Sequence, residues 1–181
     1  MVRLLLEHGA QIDSTNKDGL SALYGACQHN HPEVVALLLQ KGAQVDLQTK
    51  KGDTPLGVSA SKGHAAAARL LLEHGVDIDS RNNDGRSALY GACQENHPEV
   101  VALLLGKGAQ VDLPNSKGAT PLGVSAFNGH AACVRLLLQA GADPLHQAND
   151  GFSPLSAATA KNHPEVAALL QTRIAELAAT P

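Results

Sequence analysis

The sequence predicts an all-α solenoid, a single stack of short helix pairs joined by protruding β-hairpin loops. Three observations carry this. Gly19, Gly52, Gly85, Gly118 and Gly151 recur every 33 residues, and His31, His64, His97, His130 and His163 keep the same step, as do Leu37, Leu70, Leu103, Leu136 and Leu169. A fixed period in this range marks stacked structural units. Each period also holds two short stretches of helical apolar spacing. Finally, 181 residues with 44% hydrophobic content contain two Tyr, two Phe and no Trp, so the core must be built from Leu, Ala and Val on closely packed small elements.

The elements of one period follow in order at residues 82–114. Asn82, Asn83, Asp84 and Gly85 form a turn cluster. Ala88, Leu89, Ala92 and Cys93 then sit at helical i, i+1, i+4, i+5 spacing. After a tight loop, Pro98 stands where a first helical turn tolerates proline, Glu99 lies near the positive helix end, and Gly108 suits a left-handed stop. Val111 and Leu113 alternate as a short extended arm should. Helices this short are unstable alone, so each unit must bury its apolar face on its neighbour. Residues 18–77 and 84–143 agree at 46 of 60 positions, so the units alternate between two versions, as duplication of a two-unit block would leave them.

The 33-residue step with G-x-[ST]-[PA]-L, then [GN]-H, a Val-Leu-Leu helix and G-A-x-[VI]-D resembles the ankyrin-repeat family over essentially the whole chain. Gly52-Asp53-Thr54-Pro55-Leu56, Gly118-Ala119-Thr120-Pro121-Leu122 and Gly63-His64 match its motif best. The resemblance implies an ankyrin-repeat solenoid whose concave face binds protein targets. Two departures stand out. Where the family has His after T-P-L, this chain has Tyr24, Gly57, Tyr90, Gly123 and Ser156, so the hydrogen bonds of that imidazole must be absent or replaced. Where the family's hairpin carries Asn, this chain has Asp13, Asp46, Asp79 and Asp112.

One domain over 1–181 is expected, with repeats at 16–48, 49–81, 82–114, 115–147 and 148–181. Residues 1–15 align with a second helix alone, so Leu4, Leu5 and Leu6 are expected to lack an outer neighbour and to support weak self-association through this uncapped half-repeat. Residues 165–181 replace the usual turn with Arg173, Ile174 and Glu176, which reads as a C-terminal cap on a prolonged last helix.

Composition excludes several functions. The 14 basic residues are outnumbered by 17 acidic ones and mixed among them, leaving no footprint for nucleic acid. Apolar runs fall far short of the ~20 residues of a membrane span. Three cysteines, an odd number, read as reduced thiols of a cytoplasmic protein. Cys27, Cys93 and Cys133 are expected as small core hydrophobes, and a Cys27–Cys93 disulfide would have to span two repeats. The histidines of the ladder lie roughly 10 Å apart, too far for shared metal coordination, and are expected to close each inter-helix loop by local hydrogen bonds. No metal-hydrolase, redox, nucleophile-elbow or P-loop motif occurs, so neither enzymatic activity nor a cofactor is expected. Glycines inside the first helices, Gly25, Gly57, Gly91 and Gly123, cost up to ~1 kcal/mol each relative to Ala. Two readings stay open: close packing of adjacent helices with Tyr24 and Tyr90 opposite, or a groove kept clear for a ligand.

The expected function is therefore a non-catalytic protein-interaction module that binds a protein or peptide. An engineered or purely structural scaffold is the competing reading. The expected contact residues are those that vary between equivalent repeats at the turn and at the end of the first helix: Leu20 and Arg86, His29 and Glu95, Asp53 and Ala119, Ser61 and Phe127, Lys62 and Asn128. Phe152 takes the turn position of Leu20, Asp53, Arg86 and Ala119. Phe127 and Phe152, off the framework, should be exposed as an apolar anchor. Lys50, Lys51, Lys62, Arg81 and Arg86 should flank it as a basic stretch, with Tyr24 and Tyr90 beside them.

Overall fold

A computed structural model describes residue 4 and residues 8–179. The described residues form ten helices: α1 (Ala22–Gln28), α2 (Pro32–Gln40), α3 (Pro55–Ser61), α4 (Ala65–Glu73), α5 (Ala88–Gln94), α6 (Pro98–Gly106), α7 (Pro121–Asn128), α8 (Ala131–Gln139), α9 (Pro154–Ala160) and α10 (Pro164–Ala179). The odd-numbered helices stack on one another in one layer and the even-numbered in a second, each pair forming one unit. Leu5 and Leu6, from the expected N-terminal half-repeat, lie outside the described residues.

Local chemistry sets each helix start. The hydroxyls of Ser21, Thr54, Ser87, Thr120 and Ser153 accept from the N–H three residues on, at 2.9–3.2 Å, satisfying a donor that a helix N-terminus otherwise leaves bare. These capped N–H groups belong to Tyr24, Gly57, Tyr90, Gly123 and Ser156, the positions where the family carries His. Leu23, Leu56, Leu89 and Leu122 on the first helices, and Leu38, Leu71, Leu104, Leu137 and Leu170 on the second, are at most 1% exposed. Each such side chain contributes about 1.5–3 kcal/mol by burial. The series Leu37, Leu70, Leu103, Leu136 and Leu169 is only half-buried; the deepest leucine of each second helix is the next one along.

Three sets of hydrogen bonds tie each unit to its neighbour. The first joins the loop tips. Lys50 N–H donates to Asp18 O, Asn83 to Lys51, Ser116 to Asp84 and Asn149 to Lys117, at 2.9–3.0 Å. The extended arm expected at Val111 and Leu113 does not form, Val111 lying in a turn and Leu113 in irregular chain, and among the described residues the only bridge of strand type is Thr15 to Ser21. The loops are thus held both sideways, tip to tip, and by a backbone bond that closes each on itself, as Asn82 N–H does to Arg86 O at 3.1 Å and Asn115 N–H to Ala119 O at 2.9 Å.

The second set answers the Asp substitutions. Asp13 accepts from Gln44 N–H, Asp46 from Asp77, Asp79 from Gln110 and Asp112 from Asp143, at 2.9–3.2 Å for the nearer oxygen. Leu145 occupies the next place in this series. Residue 176, whose N–H would be its donor, lies inside α10, which runs 16 residues where the other second helices run nine.

The third set corrects the expectation of purely local histidine bonds. The backbone N–H groups do close the loops locally, as His64 does to Ser59 O at 2.9 Å. The imidazoles instead reach back one repeat: His64 Nδ1 to Cys27 O, His97 Nε2 to Ser61 O, His130 Nδ1 to Cys93 O and His163 Nε2 to Phe127 O, at 2.8–3.1 Å. A carbonyl can only accept, so each ring is the donor. The two repeat versions use different ring nitrogens for a steric reason. His97 and His163 lie against Gly63 and Gly129, where a Cβ would meet Nδ1 at 2.5 Å.

Two outcomes test these ties. Gly85 has φ +73° and its Cβ would lie 2.6 Å from Ser116 N, whereas Gly151 has φ +82° with nothing within 4 Å. Gly151→Ala should cost about 1–2 kcal/mol through its left-handed backbone alone. Gly85→Ala should cost about 2–3 kcal/mol, because it also forces the tip bond apart. Urea unfolding would show this, and equal costs would mean that tip contact contributes nothing.

Burial raises the carboxyls of Asp46 and Asp112 above the ordinary 3.8; the N–H groups of Asp77 and Asp143 offset this in part, while the charges of those same residues add to it. A raised folded-state value means that the fold holds the proton more tightly, so this contribution is greatest below about pH 4 and is lost as pH rises through the raised values. Asn supplies the same acceptor without charge. Asp46→Asn/Asp112→Asn should therefore melt higher than the parent at pH 7, and the gap should close at pH 3.

Candidate partner-binding surface

The tips and the first helices together wall two hollows. The larger, about 900 Å³, lies among α5, α7 and α9. Its floor is Gly123 and Val124, and Tyr90 forms one wall, with its hydroxyl accepting from Asn115 Nδ2 at 3.1 Å. Phe127 at the end of α7 and Phe152 at the tip before α9 form its rim, 47% and 49% exposed. The Lys161 ammonium sits 4.4 Å from the Phe127 ring centroid, a favourable cation–π distance. The smaller hollow, about 300 Å³, lies among α1, α3 and α5. Asp53, Ser61, Lys62 and Arg86 rim it. Asp53 accepts from Asn82 Nδ2 at 2.8 Å, and Arg86 pairs with exposed Asp84 at 3.7 Å.

The expected contact residues divide accordingly. Ala119, Phe127, Asn128 and Phe152 gather in the larger hollow, and Asp53, Ser61, Lys62 and Arg86 in the smaller, while Glu95 lines both. Tyr24 and Tyr90 are only 7% and 5% exposed and act as walls. Burial raises both phenols, helped at Tyr24 by the charge of Asp53 and opposed at Tyr90 by Arg86. Leu20, His29, Lys50, Lys51 and Arg81 line neither hollow. Leu20 packs half-buried against the core, and Arg81 donates to Pro114 O at 3.3 Å.

Sequence reasoning missed His146 and Lys161, both in the larger hollow. Extending the 66-residue comparison past Asp143 pairs them with Ser80 and Glu95, so the signal was there to find. The mid-helix glycines also resolve. Close packing accounts for Gly91 alone, where a Cβ would meet Ser61 Cβ at 3.3 Å. At Gly57 and Gly123 it would meet only the helix's own capping hydroxyl, at 3.2 and 3.5 Å, and at Gly25 nothing within 4 Å.

A family model of ankyrin repeats matches the chain in three copies, over residues 1–49, 41–115 and 107–180. None of the curated proteins matches it.

Among the described residues no helix is long and apolar enough to cross a membrane, and no group of three His, Cys, Asp or Glu could hold a metal ion. The three thiols are free and buried. Burial pushes Cys27 up to about 11 and Cys93 upward as well, while a hydrogen bond from Cys93 lowers neighbouring Cys133. Because the thiolate is the reactive species and all three sulfurs are shielded, a disulfide reagent such as DTNB should modify the native protein only as fast as it opens, and should titrate three thiols at once in denaturant. A fast native phase would place one thiol at the surface.

Proposed function

The chain belongs to the ankyrin-repeat family, whose repeats are generally protein–protein interaction modules and typically non-catalytic, and from this we propose that it binds a segment of a partner protein along its concave side, anchored in the larger hollow. One observation carries the reading. The chain has two phenylalanines, and both are half-exposed on the rim of the same hollow. Large aromatic groups that a partner can desolvate dominate interface energetics, and nothing in the core requires them there. The units at 16–48, 49–81, 82–114, 115–147 and 148–181 act as the rigid frame, the last as a cap. The basic residues Lys62 and Arg86 extend the surface toward the N-terminus, with Lys50, Lys51 and Arg81 on neighbouring tips. Three buried free thiols suit a reducing, intracellular setting.

Phe127→Ala/Phe152→Ala should lose about 2 kcal/mol or more of affinity for a partner recovered by affinity capture, measured by calorimetry, with little change in melting temperature. Unchanged affinity would move the site elsewhere. A melting point many degrees lower would make the two rings structural.

A further inference from the structure

The two hollows are copies of one another. Every residue lining the smaller hollow has its counterpart 66 residues further on in the lining of the larger, from Tyr24 and Tyr90 on one wall to Glu95 and Lys161 on the other. The floor is kept, with Thr54, Gly57 and Val58 answering to Thr120, Gly123 and Val124. The rim is not: Asp53 gives way to Ala119, Ser61 to Phe127 and Arg86 to Phe152. The two-repeat block therefore builds one recess twice and lines it once with polar groups and once with apolar ones.

Charge specifies what the polar copy lacks. Its carboxylates already have donors, Asp53 from Asn82 and Glu95 from Gln94 Nε2, each at 2.8 Å. Its cations are less satisfied. The Lys62 ammonium has no ionic or hydrogen-bonded partner among the described residues, and Arg86, lying 6.0 Å from the Tyr90 ring centroid, has one ionic partner, the exposed carboxylate of Asp84. Resting on the concave-site reading above, the geometry points to bipartite recognition of one extended partner segment, which places a carboxylate side chain at Lys62 and Arg86 and a large apolar side chain between Phe127 and Phe152. Stacked helices lie about 8–10 Å apart, so two repeats separate the hollows by roughly 20 Å. At ~3.3 Å per residue, an extended chain covers this in about six residues. An even separation turns both side chains to the same face. The smaller hollow, about 300 Å³, accepts one side chain rather than the face of a helix.

The test is selection of phage-displayed random dodecapeptides on three proteins. The wild type should enrich peptides with one acidic and one large apolar position about six residues apart. The exchange variant Asp53→Ala/Ser61→Phe/Lys62→Asn/Arg86→Phe/Ala119→Asp/Phe127→Ser/Asn128→Lys/Phe152→Arg moves each rim set onto the equivalent frame, where Asp84 and Asp150 stand in matching places, and it should enrich the same two positions in reversed order. Lys62→Glu/Arg86→Glu, which alters exposed groups only, should turn the acidic position basic and leave the apolar one. The same motif in the same order on all three proteins overturns the proposal. If wild-type peptides bind Phe127→Ala/Phe152→Ala more than tenfold more weakly yet show no acidic position at a fixed spacing, the two-hollow inference fails and the concave-site reading stands. If no peptide is enriched, or the enriched ones bind that double variant equally, both fail.

Discussion

The hydrogen bond from one loop tip to the next is the constraint on which the rest of the structure depends. Lys50, Asn83, Ser116 and Asn149 each donate to the preceding tip at 2.9–3.0 Å. That approach leaves no room for a side chain on the glycine between them, as Gly52 shows: its Cβ would lie 2.9 Å from Asn83 N. It also sets the distance between units at which an aspartate can reach the N–H 31 residues on and a histidine the carbonyl 36 or 37 residues back. Helices of seven to nine residues have little stability of their own. What makes them persist is that each is bonded and packed against its neighbour, so that stability is a sum over adjacent pairs.

The same constraint decides where the chain is free to vary. Leucines of the core, the tip glycines from Gly19 to Gly118 and the imidazoles of His64, His97, His130 and His163 are committed to a neighbouring repeat, and the capping hydroxyls to their own helices. The rim of the concave hollows is where the chain varies, and it is there that Ser61 and Phe127, or Arg86 and Phe152, occupy one frame with opposite chemistry. The floor position after the helix cap alternates Tyr24, Gly57, Tyr90, Gly123 and Ser156. A tyrosine walls each recess and a glycine leaves it open. The helix-propensity cost of Gly57 and Gly123 is thus offset by no packing contact across the repeat; it is the cost of an unfilled recess.

Much of the fold was legible because a period of 33 residues repeats the same local instructions five times. Turn glycines, proline at the first helical position and apolar spacing each act within a few residues, where sequence can be read directly. What stayed hidden acts between repeats and through the backbone. The imidazole of His130 finds the carbonyl of Cys93, and a carbonyl has no sequence signature, so the histidine ladder read as a set of local closures. The loop at Val111 and Leu113 alternates as a strand would, yet its backbone bonds, Asn115 N–H to Ala119 O within it and Ser116 N–H to Asp84 O across to the preceding tip, fall beyond both residues. In the site, the exposure of Phe127 and Phe152 followed from their being off the framework. The burial of Tyr24 and Tyr90, the seating of Lys161 over Phe127 and the inward packing of Leu20 depend on three-dimensional neighbours that no spacing rule names.

Amide hydrogen exchange at the tips tests the central claim most directly. Lys50, Asn83, Ser116 and Asn149 are exposed residues on loops, where unbonded amides exchange fast. If tip-to-tip bonding holds the stack together, these four amides exchange only when neighbouring repeats separate, with protection approaching that of buried helical amides such as Leu71 and Leu104. Exchange at the rate of free loop amides, while those helices stay protected, would contradict the account: the helices would then be stacking without the tips, and the glycine, aspartate and histidine ladders would be consequences of the fold rather than what holds it.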